Sequence, residues 1–223
     1  MTDYSYHFAF DEKYCYPNSQ VLINKLNIKD ALALAAAERE ISGLRLLAAK
    51  VQPVSGRLDF MHLKRIHRQI FRDLYSWAGR TRTIDIAKGN QFCYSYNIDQ
   101  YAESLFRQLR QENYLLDTYE QVPRRLAWYL SEINVLHPFR EGNGRAQRLF
   151  IEYLGRVAGW NVDFSDVTQQ EMIIASADSF VREYSTIYAM FDRICSPLDS
   201  GAQHEAVDTF FGKRSRLHDK CRH

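Results

Sequence analysis

His137-Pro138-Phe139-Arg140-Glu141-Gly142-Asn143-Gly144-Arg145-Ala146-Gln147-Arg148 is the stretch on which the fold turns, because helical periodicity runs into it and out of it. Upstream, Val122, Leu126, Tyr129, Leu130, Ile133 and Leu136 recur at the spacing of a helix buried along one face. Downstream, Ala146, Leu149, Phe150, Tyr153, Leu154 and Val157 resume the pattern, and Gly159 is a stop. The twelve residues are therefore expected to be a loop between two core helices. Pro138 lacks an N–H and disfavours helical geometry at His137, so the first helix should end there with the imidazole at its mouth. Gly142 and Gly144 allow positive φ or close backbone approach where the second helix opens. The unpaired N–H groups of that first turn, with the helix dipole, make an anion site.

Each side chain has a chemical reading and a plainer one. His137, with an ordinary pKa of about 6.5, can take a proton from a hydroxyl at neutral pH, or can simply cap a helix. Glu141 is a single hard carboxylate of the kind Mg²⁺ accepts alongside water and phosphate; alone it is a solvated glutamate at a helix start. Arg145 and Arg148, three apart, can fork onto phosphate oxygens or form a wet helix face. Asn143 can donate its amide to phosphate or tolerate a left-handed turn, and Phe139 reads as a core anchor for the loop.

The ordered set matches, without a gap, the pattern His-Pro-Phe-x-(Asp/Glu)-Gly-Asn-Gly-Arg-x-x-Arg, and on those residues the chain resembles Fic proteins. The resemblance implies a mainly α fold, a Fic-type helical bundle with a small β-hairpin flap beside the active site. It implies His137 as general base and Glu141 as the ligand of a Mg²⁺ bridging the α- and β-phosphates of ATP. Gly142, Asn143 and Gly144 would form the anion hole, with Phe139 grouped among the nucleotide-binding residues. Arg145 would hold the β-phosphate and Arg148 the γ-phosphate. The implied reaction is transfer of AMP from ATP to a protein hydroxyl with release of pyrophosphate. In-line displacement at phosphorus needs mainly positioning and charge neutralisation, and a base, a metal ligand and donors are all present.

At 223 residues the chain is long enough for one good core, and Lys plus Arg at 29 against Asp plus Glu at 27 gives no case for nucleic-acid binding by bulk charge. Cys15, Cys93, Cys195 and Cys221 lack metal-ligand spacing and read as reduced thiols of a cytoplasmic protein. No secretion signal or membrane span is evident, so a bacterial cytoplasmic location is expected, with delivery into a host cell left open.

Residues 1–195 read as one domain, beginning with an extended arm over 1–20. Asp30 is placed to cap a helix over about 31–50, and a second helix is expected over about 57–77, with His62 and His67 as structural or surface residues. Further helices are expected at about 97–114, 166–178 and 182–194. Between them, about 82–95, Thr83-Ile84-Asp85-Ile86-Ala87 alternates, Lys88-Gly89-Asn90 turns and Gln91-Phe92-Cys93-Tyr94 continues extended. With Trp77-Ala78-Gly79-Arg80 ahead of it, this hairpin resembles the Fic flap, which registers a target segment by strand addition. The resemblance makes Ile86, Ala87, Lys88, Gly89, Asn90, Gln91 and Phe92 the target-docking residues. Residues 196–223 read as a basic, solvated tail with one short helix around Ala206 to Phe211.

The segment from Tyr16-Pro17-Asn18 to Leu26 is also similar to the start of stand-alone bacterial Fic toxins. Such proteins are held inactive by a helix carrying (Ser/Thr)-x-x-x-Glu-(Gly/Asn). The nearest match, Ser179-Phe180-Val181-Arg182-Glu183-Tyr184, departs at its last position, so inhibition is expected from a separate small antitoxin whose glutamate pairs with Arg148. The resemblance implies DNA gyrase or topoisomerase IV as target, without contact to nucleic acid or membrane. The alternatives are a host-directed effector modifying small GTPases, another nucleotide donor, a phosphorylating branch of the fold, and a vestigial binding protein. Intact Gly142-Asn143-Gly144-Arg145 argues for AMP transfer over phosphorylation.

Overall fold

The computed structural model describes residues 13–117 and 119–212. Among these lie eight α-helices: α1 (Ala31–Val51), α2 (Phe60–Phe71), α3 (Ile98–Gln111), α4 (Val122–Leu136), α5 (Asn143–Val157), α6 (Gln169–Phe180), α7 (Ser185–Ile194) and α8 (Ser200–Phe211). Two short antiparallel pairs join them, β1 (Ala87–Lys88) with β2 (Asn90–Gln91), and β3 (Trp160–Val162) with β4 (Cys195–Pro197). The fold is mainly helical, as expected.

Four of the helix starts follow from short polar side chains that satisfy otherwise orphaned N–H groups. Asp30 accepts from Ala33 N–H, Asp59 from His62 N–H, Thr168 from Glu171 N–H and Asp199 from Ala202 N–H. The centre is the α4–α5 pair, on whose shared face Leu126, Ile133, Leu136, Phe150 and Leu154 are buried. Each such side chain contributes about 1.5–3 kcal/mol by leaving water. α2 and α8 lie against α5, and α7 against α4, so the loop between α4 and α5 sits at the end of the most buried pair in the molecule.

Three elements differ from expectation. α2 ends at Phe71 instead of near 77, because the chain folds back there: Leu74 and Tyr75 N–H bond to Phe71 O, and Gly79 adopts φ +81 where a Cβ would lie 2.8 Å from Lys64 O. Leu74 and Trp77 remain buried, but from turns. The β3–β4 pair, too short to show alternation, ties Val162 to Cys195 and Trp160 to Pro197, across the boundary expected at 195. α8 is longer than expected and packed instead of solvated. Its Phe210 is buried, with ring centroids 5.0 Å from Tyr153 and 5.5 Å from His62. Residues 1–12 of the arm and the basic end from Lys213 lie outside the described residues.

Candidate active site

α4 ends at His137 in a left-handed turn, φ 42 and ψ 59, where Pro138 alone predicts extended backbone. Holding a non-glycine residue there costs about 1–2 kcal/mol, so its surroundings must enforce it. His137 N–H bonds to Ile133 O at 3.0 Å, and the buried Arg82 Nε donates to His137 O at 2.8 Å. The turn brings Nδ1 to 3.2 Å from Asn134 O. A carbonyl only accepts, so Nδ1 carries the proton and Nε2 keeps its lone pair. Burial, reinforced by the charges of Arg82 and Lys88, pulls the imidazole pKa down to about 3, and Phe92 stacks on its face at 3.7 Å. His137 is thus neutral at physiological pH and held in one tautomer.

The loop beyond it is closed from within. Asn143 Oδ1 accepts from Phe139 N–H at 2.9 Å and its Nδ2 donates to Phe139 O at 2.7 Å. His67, on α2, bridges from outside: Gly79 N–H donates to Nδ1 at 2.9 Å, so Nε2 carries the proton and donates to Glu141 O at 2.9 Å. Its ring stacks on Phe139 at 3.8 Å, and burial pulls its pKa to about 3. Gly142 then opens α5 at φ +82, pressed so closely on Phe71 that a Cβ would lie 2.3 Å from the ring. Glycine is required there on both counts.

The charged side chains divide between two directions. Glu141 accepts from Gly142 N–H at 2.8 Å, and burial with the nearby Glu38 carboxylate pushes its pKa up. Arg145 pairs with Glu38 of α1, donates to Ser42 Oγ at 2.6 Å, stands 3.9 Å from Glu141 and covers the Phe71 ring. Arg148 forms no hydrogen bond or ion pair with the described residues, and burial beside Arg145 lowers its pKa.

These groups wall a cavity of about 480 Å³. His137, Glu141, Gly142, Gly144, Arg145 and Arg148 line one side; Lys88, Gly89, Asn90 and Phe92 come from the flap, and Met172, Ile173 and Phe180 from α6. A second cavity of about 430 Å³ shares Lys88, Arg148, Met172 and Ile173 with it and reaches Phe164 and Val167. The arrangement offers a neutral base, a carboxylate and an unpaired guanidinium facing one space that a helix N-terminus also borders.

Comparison with known proteins agrees with this geometry. The Fic/DOC family model matches residues 57–154. Protein adenylyltransferase VbhT of Bartonella schoenbuchensis is 39% identical over 186 residues, which are 82% of this chain and 39% of that protein. The probable protein adenylyltransferase y4lH of Sinorhizobium fredii is 38% identical over 189 residues, 83% of this chain and 97% of that one. The chain belongs to the Fic/DOC family. Among solved structures, the N-terminal Fic domain of a putative cell filamentation protein from Bartonella quintana, with bound ADP, superposes with a TM-score of 0.79 at 28% identity, covering 85% of this chain and 97% of its own. BepC of Bartonella tribocorum with bound AMPPNP gives 0.78 at 28% identity, covering 84% and 98%.

In this Fic protein several expected residues take other positions. Phe139 and Asn143 are buried and do not line the cavity; their side chains hold the loop's shape, and what Asn143 has to offer an anion is its backbone at the helix start. Ile86 and Phe92 were expected to read a target, but both are buried. The hairpin is too short to expose alternate side chains, so Ile86 turns inward and Phe92 packs on the base. Ala87, Lys88, Gly89, Asn90 and Gln91 form the accessible hairpin, with β1–β2 register Ala87 to Gln91 and Lys88 to Asn90. Arg82, Glu38 and the imidazole contact of Phe92 escaped sequence reasoning, while His67, read as structural or surface, is a buried brace. Only the Glu38 to Ser42 spacing on one face of α1 offered a signal.

Proposed function

We propose that this protein transfers AMP from ATP to a hydroxyl of a target protein. The observation that carries the reading is the His137 imidazole, neutral, with Nδ1–H fixed on Asn134 O and Nε2 unprotonated at the wall of a cavity shared with the α5 N-terminus. Nε2 takes the proton of the hydroxyl as its oxygen attacks the α-phosphorus; the bond from that phosphorus to the bridging oxygen breaks, and pyrophosphate leaves. Gly142 and Gly144 let phosphate oxygens approach the free N–H groups of α5, and Arg148 supplies an unpaired cation for the phosphate tail. Arg145 reaches the same cavity but shares its charge with Glu38.

Among the described residues no group of three or more His, Cys, Asp or Glu is placed to hold a metal. The site fits Mg²⁺ in another way: Glu141 is a lone carboxylate in the cavity, and burial together with Glu38 disfavours its anion, so a cation would relieve it. Mg²⁺ bound there would neutralise charge on the donor's phosphates. No helix among the described residues is long and apolar enough to cross a membrane.

The partners follow from the same site. The exposed Glu183 accepts from Ser185 N–H and lines neither cavity, so the nearest inhibitory-like sequence does not reach Arg148. A separate antitoxin helix whose glutamate pairs with Arg148 fits that unpaired cation. DNA gyrase or topoisomerase IV in the bacterial cytoplasm is the target we favour. Modification of host small GTPases is the second reading, favoured by the similarity to translocated Bartonella effectors. Purified protein and His137→Ala are incubated with Mg²⁺, bacterial lysate and ATP labelled at the α or γ position. Protein label from α-labelled ATP only, falling about 100- to 10,000-fold in the variant, is expected. Label from γ-labelled ATP would replace AMP transfer by phosphorylation.

A further inference from the structure

Arg82 is fully buried and, among the described residues, pairs with one carboxylate, Asp85, 3.9 Å away on a side chain that is itself 44% exposed. A buried guanidinium so weakly paired is a poor stabiliser, and an apolar side chain of its size would fill the same space at less cost. What the guanidinium does instead is satisfy carbonyls from three places. Nε donates to His137 O at 2.8 Å, Nη1 to Ile84 O at 2.6 Å and Nη2 to Cys93 O. Its own backbone N–H bonds to Pro138 O at 2.9 Å, and Cys93 N–H bonds to Val135 O at 2.9 Å. His137 O belongs to the left-handed residue that ends α4, Ile84 and Cys93 flank the two arms of the flap, and Phe92 stacks on the imidazole.

We infer that Arg82 is a positioning residue that locks the flap to the backbone of the catalytic base, holding His137 in its strained turn and Phe92 on the imidazole face. The inference rests on AMP transfer by His137. Releasing the His137 carbonyl lets the left-handed turn relax, the Nδ1–H to Asn134 O bond loosens, and Nε2 no longer meets the hydroxyl in line. Lysine keeps the charge but cannot span three carbonyls with a planar fork, so the exchange is not conservative here.

The test compares wild type and Arg82→Lys in three ways. Arg82→Lys lowers AMP transfer at saturating α-labelled ATP to acceptors in a bacterial lysate by about 100-fold, with half-saturating ATP within about twofold, because a misplaced base slows chemistry and leaves phosphate binding intact. Nitrogen NMR of His137 shows a single Nδ1–H tautomer in wild type and a mixture in the folded variant. In wild type, Arg82 Nε–H exchanges with solvent at least about 100-fold more slowly than a free arginine, a reading that stands even if the variant does not fold. An unchanged tautomer in the folded variant, transfer that falls only with its folded fraction, or fast exchange at Arg82 Nε–H would each overturn the inference. If wild type transfers no AMP, the proposed reaction fails, while tautomer and exchange still decide what Arg82 holds.

Discussion

The loop from His137 to Arg148 and the flap that faces it are built to opposite standards. In the loop, Phe139, Gly142 and Asn143 are buried; Asn143 closes it from within on Phe139, and His67 on Glu141 and Arg82 on His137 hold it from outside. The flap has two strands of two residues, a tip at Gly89 where an added Cβ would find nothing within 4 Å, and Gln91 Nε2 reaching Ile86 O and Phe92 O to hold it shut. The cavity wall that carries His137, Glu141 and Arg148 is therefore over-determined, and the hairpin on its opposite side is lightly held.

Acid should strike the first side hardest. His67 and His137 are buried with pKa pulled to about 3, and His62, which stacks between Tyr153 and Phe210, to about 4. A folded pKa below the unfolded 6.5 means the unfolded chain binds protons first. Stability is therefore complete above pH of about 6.5 and declines as pH falls toward the folded values, by up to about 1.4 kcal/mol per pH unit for each imidazole. Glu141 and Glu152, whose pKa burial raises, act in the opposite sense and soften the decline near their own titration. The melting temperature should fall steadily from pH 7 to 5 and amide exchange should rise at the loop; a flat melting temperature would mean that the loop is not braced by neutral histidines.

Gly142→Ala probes the same side mechanically. The residue needs φ +82, and its Cβ would sit 2.3 Å from the Phe71 ring, itself fully buried under Arg145. Backbone strain and overpacking together should cost about 2–4 kcal/mol. For a chain of this size that lowers the melting temperature by roughly 6–12 °C. A shift under about 2 °C, read by calorimetry, would show that Phe71 yields and that the loop is no more rigid than the flap.

How much of this was legible follows the range over which each residue acts. The α4-loop-α5 frame, the Asp30 cap and the cavity-lining positions His137, Glu141 and Arg148 are written in local periodicity and in one contiguous motif, so they could be read directly. The braces could not. Arg82 meets a carbonyl 55 residues away, His67 one 74 residues away, and Arg145 a hydroxyl 103 residues away; nothing local marks such pairings. Asn143 reads as a phosphate donor or a residue that tolerates a left-handed turn; the left-handed residue is Gly142 instead, and the short amide of Asn143 bonds both backbone groups of Phe139 from the first turn of α5. Ile86 and Phe92 read as target-docking residues through the flap resemblance, which marks the segment and not which of its side chains turn inward.

The smallest expected effect lies at the other end of the comparison. Gly89 adopts φ +73 at the flap tip, so alanine there meets backbone strain, but its Cβ enters open space. The cost should be about 1 kcal/mol, a drop in melting temperature of roughly 2–4 °C, with half-saturating ATP unchanged within about twofold. The two glycines share a left-handed backbone and differ only in what surrounds them, so the difference between their melting shifts isolates packing from strain. If Gly89→Ala proved as damaging as Gly142→Ala, the tip would have to be packed in solution, and an edge that is already covered cannot add a strand from a target.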